Sequence, residues 1–322
     1  MHARVLIAIA CTACTAARAP RPATPTPADA PAPPVAGAEF LPADYHGELF
    51  LDWQAMRDVG LVDRVLRLPQ AEEMLQVIAG PLCSLDDLVA TRTVFVEDDT
   101  RHGNVTVVQL AAGAVGKTPP KEWQETQVGP FAALRQGSHR DSAVSFFPQP
   151  DLGVQGTPAL LEDLATGRQP SGGPHPDLRP LLGGDAVLAQ FAYGRFGRSY
   201  DDVLRTFGKW FGDQDDPVDF IRLRLHQAAD GALVFAITFR FQNGTSGLRE
   251  TEQLVRGKLD TMLDDPRLGA FKPIFGAVVV AHQERDLTAS LVLGTPREAV
   301  GKLEQAVLAT FALQQEDAAR QR

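Results

Sequence analysis

The stretch FIRLRLHQAADGALVFAITFRFQ, residues 220–242, decides the class of fold. Two runs rich in β-branched and aromatic residues, Phe220 to His226 and Leu233 to Gln242, flank Ala229-Asp230-Gly231, and this pattern predicts a β-hairpin. In the second run Thr238 and Arg240 share one face of the strand. The large apolar side chains share the other face: Leu233, Phe235, Ile237, Phe239 and Phe241. The hairpin therefore belongs to an antiparallel sheet with one apolar side.

Strand and helix patterns continue on both sides of the hairpin. Ala186 to Tyr193 is almost wholly apolar, which predicts a central strand. Thr295-Pro296-Arg297-Glu298 is a capping box with proline at the first helical position, so a last helix begins there. The other elements predicted in the second half are a helix capped at 199–202, a long helix from Leu248 to Met262, and strands at 277–281 and 287–293.

The first half shows a similar order of elements. Asp52 is placed to cap a helix that runs to Leu66, and Thr157-Pro158 starts another helix. A helix over residues 70–78 ends at Gly80-Pro81. The strands predicted in this half are 45–51, 90–97, 104–110, 143–147 and 152–155.

The sequence "strand, strand, Gly-Thr-Pro, helix" occurs at residues 143–166 and again at 276–314. We therefore predict an α+β fold of two similar halves, each an antiparallel sheet with helices on one face. The first repeat covers 39–168, the second covers 177–315, and a tail follows at 316–322. The halves either share one continuous sheet or meet as two lobes.

The N-terminal residues 1–19, MHARVLIAIACTACTAARA, predict a leader for export. They resemble a bacterial lipoprotein signal, with Ala8-Ile9-Ala10 before Cys11, although Ala8 stands where leucine is usual. The resemblance implies lipidation at Cys11, with Cys14 as the alternative. Residues 20–38 form a Pro/Ala-rich linker, predicted to be disordered, with seven prolines between 20 and 34, a composition that cannot build a core. The alternative is a disordered cytosolic N-terminus with chance cysteines.

Composition and motifs exclude several classes of function. The 322 residues contain 40 Asp+Glu and 31 Lys+Arg, a net charge of −9, which argues against a nucleic-acid partner. Residues 111–118, AAGAVGKT, match the loose pattern of a phosphate-binding loop, but Pro119-Pro120 would remove donors from the helix that such a loop needs. We therefore expect a connector there and no nucleotide. No stretch is apolar over the length of a membrane span.

No catalytic, cofactor-binding or firm metal-binding constellation stands out. The acidic loop with Asp213, Asp215, Asp216 and Asp219 is a weak calcium candidate, because it lacks the glycine and glutamate of an EF-hand; a solvated loop is the alternative. Cys83, the only cysteine after the leader, is predicted to be a small buried residue.

The chain resembles a family of exported bacterial lipoproteins that carry a domain of unknown function. The resembling elements are residues 40–44 (FLPAD), residues 81–88 (PLCSLDDL) and the two Gly-Thr-Pro helix starts. The resemblance implies a protein anchored by its lipid at the periplasmic or outer-membrane face. We expect a non-catalytic binding or scaffolding module with an envelope protein as partner. A carrier of a lipid or other amphiphile, lined by the Leu233–Phe241 face, is the alternative, and a divergent hydrolase is the third hypothesis.

Overall fold

The computed structural model describes residues 37–66, 85–97, 102–114, 123–137, 142–182, 186–194, 218–242, 248–272 and 276–320. Within these ranges twelve strands form one sheet. The strands are β1 Gly47–Asp52, β2 Leu88–Glu97, β3 His102–Leu110, β4 Trp123–Val128, β5 Phe131–Gln136, β6 Val144–Gln149, β7 Leu152–Gly156, β8 Val187–Gly194, β9 Val218–Gln227, β10 Leu233–Phe241, β11 Val279–Gln283 and β12 Asp286–Gly294. Their order in the sheet is β11-β12-β10-β9-β8-β1-β2-β3-β7-β6-β5-β4, with every neighbouring pair antiparallel.

Four α-helices accompany the sheet in the described ranges. They are α1 Trp53–Asp58, α2 Pro158–Ala165, α3 Leu248–Asp264 and α4 Pro296–Arg320. Short 3-10 turns lie at Ala38–Phe40, Leu85–Asp87, Arg179–Leu181 and Pro266–Phe271, and a π-helical turn at Val62–Leu66. No helix in these ranges has both the length and the apolar character needed to cross a membrane.

The prediction of an α+β fold of two similar halves is wrong, and of the two arrangements that the sequence left open the structure has the single shared sheet. Strand β1 lies between β2 and β8 and pairs with both, so Leu49 faces Thr93 on one side and Phe191 on the other. The two ranges of chain therefore form a single sheet, with seven strands coming before residue 168 and five after residue 177. Two of the seven, β4 and β5, were not predicted from the sequence.

The expectation of helices on one face of each sheet is also wrong. On β3, Val107 points into a hydrophobic cluster that contains Leu161 of α2, whereas Val108 points into a second cluster that contains Trp53 of α1 and Val300 of α4. Successive residues of a strand face opposite sides. Helices therefore cover both faces of the one sheet, and each face has its own hydrophobic core.

Several local predictions are confirmed by the structure. The Asp52 carboxylate accepts a hydrogen bond from the Ala55 amide at 2.8 Å and caps α1, although α1 ends at Asp58 and only the π-helical turn reaches Leu66. The capping box forms at the start of α4, where the Thr295 amide donates to Glu298 at 2.8 Å and the Glu298 amide donates to Thr295 Oγ1 at 3.4 Å. The predicted helices at 70–78 and at 199–211 lie outside the described residues.

Candidate functional site

The strands β8, β9, β10 and β12 carry a group of polar side chains on one side of the sheet, which we call the polar face. Cross-strand pairing places them together, because residues directly opposite each other in an antiparallel pair share a face. Gln190 stands opposite Arg224, Arg222 opposite Thr238, and Thr238 opposite Thr288. The members of the polar face are Gln190, Arg222, Arg224, His226, Thr238, Arg240, Asp286 and Thr288. The buried Ala192 and Phe220, which belong to the hydrophobic cluster of Leu161, lie on the same side.

The other side of these strands belongs to the hydrophobic core. Leu233, Phe235, Ile237, Phe239 and Phe241 are all buried in one cluster with Leu248 and Val255 of α3 and with Val300 and Leu303 of α4. The face that was predicted as a possible lining for an amphiphile cavity is therefore packed against helices. The α3 and α4 helices lie on this side, which leaves the polar face on the opposite side of the same strands.

Two ion pairs lie on this side of the sheet, one on each side of Arg222. At one end Arg240 donates two hydrogen bonds to Asp286, at 2.7 and 2.8 Å, and this contact raises the pKa of Arg240. Asp219, beside Arg240 at a bulge of β9, adds to this acidic surrounding.

At the other end the buried Glu48 of β1 accepts hydrogen bonds from Tyr45 at 2.5 Å and from Arg92 at 2.9 Å. Desolvation and the neighbouring Glu48 carboxylate raise the pKa of Tyr45, which keeps its hydroxyl protonated as the donor. Both hydrogen bonds end on the same oxygen, Glu48 Oε2.

Arg222 lies between these two ion pairs, within the electrostatic reach of both Asp286 and Arg240. Its Nη1 donates to the Leu181 carbonyl at 3.4 Å, and no carboxylate in the described part of the chain forms an ion pair with it. Glu48 is two strands away, a separation of about 10 Å. Burial lowers the pKa of Arg222, and the positive charge of Arg240 lowers it further against the opposing effect of Asp286.

Two other side chains of the polar face, Gln190 and His226, each have one buried atom that no described residue hydrogen-bonds. Gln190 is only 3% exposed, and its buried Oε1 accepts no hydrogen bond from any described residue. The buried Nδ1 of His226 has none from the same residues. Desolvation, followed by the charges of Arg224 and Arg222, lowers the pKa of His226 to about 4.

The polar face offers a ligand both kinds of hydrogen-bonding group. The Arg222 guanidinium can donate to an acceptor, and the Gln190 Oε1 can accept from a donor. Buried polar atoms in folded proteins are normally hydrogen-bonded, so the Gln190 Oε1 leaves acceptor capacity unused among the described residues.

Most residues singled out from the sequence lie outside the described residues. These are the lipidation candidates Cys11 and Cys14, the acidic residues Asp213, Asp215 and Asp216, and Cys83. Asp219 is described, and it lies on β9 next to the polar face rather than in a loop. The described ranges contain no group of three or more His, Cys, Asp or Glu side chains that could hold a metal ion. Of the loop at 111–118, only residues 111–114 are described, and they form a turn after β3.

Sequence reasoning did not identify Arg222 or Gln190. The signal was present in FIRLRLHQ, where Arg222, Arg224 and His226 alternate with apolar residues and must therefore share one face. What the sequence lacked was the pairing between β8 and β9, which brings Gln190 opposite Arg224.

Comparisons with known proteins add little to this picture. No protein-family model and no curated protein matches the sequence. Two solved structures, crystal forms I and III of a protein named TP0453, are similar over 85% and 84% of this chain and 98% of that chain. The TM-scores are 0.45 and 0.46, each at 8% sequence identity, so we draw no argument from the likeness.

Proposed function

We propose that the protein is an exported lipoprotein, tethered in the cell envelope, that acts as a non-catalytic binding module with the polar face as its binding surface. The anchor in this proposal is the lipid on Cys11, with Cys14 as the alternative. Residues 20–38 would serve as the spacer, since a proline-rich segment of this length reaches roughly 60 Å when extended. A lipid with a stiff spacer would hold the sheet away from the membrane surface.

The observation that carries the binding role is that no carboxylate of the described residues forms an ion pair with Arg222. Natural surfaces tolerate an exposed arginine at little cost, but Arg222 is desolvated enough for burial to lower its pKa. The unused acceptor of Gln190 lies on the adjacent strand of the same face. A bound ligand would supply the missing contacts, and for this reason we place the binding surface on this face.

The tether is tested by metabolic labelling with an alkyne fatty acid in the native host. We expect label on the wild-type protein, loss of label in Cys11→Ala or Cys14→Ala, and full label in the matched control Cys83→Ala. Fractionation of the same cells should place the labelled protein with the membranes and the unlabelled variant in the soluble fraction. An unlabelled wild-type protein that retains residues 1–19 would contradict both export and anchoring.

The binding role is tested by native mass spectrometry of the protein released from its own cells. We expect a bound species that is lost after denaturation and refolding, and a smaller amount of it on Arg222→Gln than on Arg168→Gln. Arg168 is a suitable control because it is exposed and pairs with Asp163, away from the polar face. A bound species with the mass of a lipid would favour the carrier hypothesis, and a bound envelope protein would favour scaffolding. Identical masses before and after refolding would contradict binding of either kind.

A further inference from the structure

We infer that the edge strand β4 is a self-association surface, on which β4 of a second copy of the chain adds antiparallel and continues the sheet. β4 is the last strand at one end of the sheet, so no described strand pairs with the backbone N–H and C=O groups on its outer side. Such a row of groups is a template for another strand. This inference goes beyond the proposed binding role and does not depend on the polar face.

β4 lacks most of the features that protect an edge strand from pairing. Its residues, WQETQV, include no proline, lysine or arginine, and Glu125 is its one charged residue. The strand pairs with β5 in a continuous register, without the bulge that would twist the edge away. Gln124, Glu125 and Gln127 are exposed, so this edge is accessible from solvent.

The strand at the opposite end of the sheet, β11, is better protected. It is only five residues long, and side chains of α3 contact it. Arg256 donates a hydrogen bond to the Val280 carbonyl, and Glu252 contacts His282 Nδ1 at 2.6 Å. A short strand held by a helix is a common way to protect an edge. Of the two ends of the sheet, β4 is therefore the one that can accept another strand.

Two-fold symmetry restricts how two β4 strands can pair. In a symmetric dimer, residue i of one copy contacts residue j of the other, and j contacts i. Residues directly opposite each other share a face of the sheet, so the axis must pass beside one residue. An axis at Glu125 would place two carboxylates directly opposite each other, which is unfavourable. An axis at Thr126 avoids this contact and pairs residues 124–128 of the two copies.

The register centred on Thr126 is self-complementary. Thr126 stands opposite Thr126 of the second copy, and threonine pairs of this kind stabilise a sheet. Glu125 stands opposite Gln127 of the second copy, whose side-chain amide can donate to the carboxylate. Symmetry forms the Glu125–Gln127 contact twice. Because β4 complements its own sequence in this register, a second copy is the occupant that we infer.

The main competing explanation is that Glu125 keeps β4 unpaired. A charge on an edge strand often has this role. The Glu125 carboxylate, however, opposes only a strand that places another carboxylate against it, and the register centred on Thr126 places an amide there. The two explanations predict different association states, a monomer or a dimer.

The association is tested by analytical ultracentrifugation of the full chain over a wide range of concentration. We expect a reversible dimer in the wild type and in the control Thr261→Lys, which changes an exposed threonine on α3. Thr126→Lys and Thr126→Asp each place like charges at the axis, so each should weaken dimerisation by about tenfold or more. An equimolar mixture of the two variants should recover the dimer, which also shows that both variants are folded.

The register is tested by cysteine crosslinking in the full chain. Residues directly opposite each other have Cα atoms about 4.5–5.5 Å apart, within reach of a disulfide. Thr126→Cys should therefore form a disulfide-linked dimer. Gln124→Cys should not, because its two copies are four positions apart along the strands, and the wild type controls for the native cysteines.

Three results would overturn the inference. They are a wild type that stays monomeric, a dimer that Thr126→Lys leaves intact, and a crosslink in Glu125→Cys or Gln124→Cys but not in Thr126→Cys. A monomer that instead pairs with an added peptide of different sequence would identify β4 as a site for another strand and would exclude the second copy as its occupant.

Discussion

At the scale of single residues, the charged side chains on this side of the sheet differ in their partners. Glu48 accepts hydrogen bonds from Tyr45 and Arg92 in the interior, and its side chain is only 2% exposed. Arg240 of β10 donates two hydrogen bonds to Asp286 of β12. Arg222 has a comparable position in the sheet, and its hydrogen-bond partner among the described residues is the Leu181 carbonyl. This contrast is what distinguishes a structural arginine from a candidate binding residue.

Removing Glu48 should destabilise the protein strongly. In Glu48→Ala the partly buried Arg92 would keep its charge without a counter-ion, a situation that typically costs about 3–5 kcal/mol in a buried pair. Chemical denaturation measures the change in the free energy of unfolding. The matched control is Glu304→Ala, which breaks the exposed pair with Arg64 and should cost less than about 1 kcal/mol. Similar losses for the two variants would show that the Glu48 cluster is not an interior ion pair.

His226 should make stability depend on pH. Its pKa is about 4 in the folded protein against 6.5 for the free side chain, so the unfolded chain takes up a proton first as the pH falls. The resulting loss of stability begins near pH 6.5 and is complete near pH 4. Unfolding free energies measured at several pH values should therefore fall less steeply over this window for His226→Gln than for the wild type. Parallel curves for the two proteins would contradict the depressed pKa.

At the scale of elements, neighbouring strands approach so closely at several glycines that a larger side chain would clash. A methyl group placed on Gly156 of β7 would lie 2.3 Å from the carbonyl oxygen of Asn104 and 3.1 Å from Val105 Cα, on the adjacent β3. These are backbone atoms, so a rotamer change cannot relieve the clash. The side chain of Thr157, the residue after the strand, accepts a hydrogen bond from the Asn104 amide at 3.3 Å instead of capping α2.

Gly156→Ala should therefore destabilise the pairing of β3 with β7. Overpacking of this kind costs about 1–3 kcal/mol, and the rigid neighbours place Gly156 toward the upper end. Gly173→Ala is a matched control because nothing lies within 4 Å of its added methyl group. Its effect should stay within about 0.5 kcal/mol. Thermal unfolding of the two variants side by side measures the difference, and equal shifts would contradict the close approach.

How well the sequence predicted each element depended on the strength of its local signal. The hairpin β9–β10 and the cap at Asp52 were predictable because strand alternation and side-chain capping depend on residues that are close together in the sequence. Strands β4 and β5 were missed, because WQETQV and FAALRQ alternate weakly and have few β-branched residues. Likewise the alternating arginines of β9 are visible in the sequence, but no local pattern predicts that α3 and α4 pack on the opposite side of this strand.

At the scale of the whole molecule, the pairing of β1 with β8 decides the architecture. Such a contact links Leu49 with Phe191, residues far apart in the chain, and no local pattern encodes it. The sequence left open whether the two ranges share a sheet or form lobes. The structure selects the shared sheet, in which charged groups from both ranges lie on the same side, with Glu48 on β1 and Arg222 on β9.

The shared sheet should make the protein unfold as one cooperative unit. Separating the two ranges would break every hydrogen bond between β1 and β8 and would expose Leu49, which is 5% exposed in the folded protein. We expect hydrogen exchange with increasing denaturant to show the same unfolding free energy for β5–β7 and for β9–β12. Leu49→Ala should lower both values together, by about 2–5 kcal/mol, because it removes a buried side chain at the junction. Two separate transitions, or a loss confined to one range, would mean that the junction does not couple the strands on its two sides.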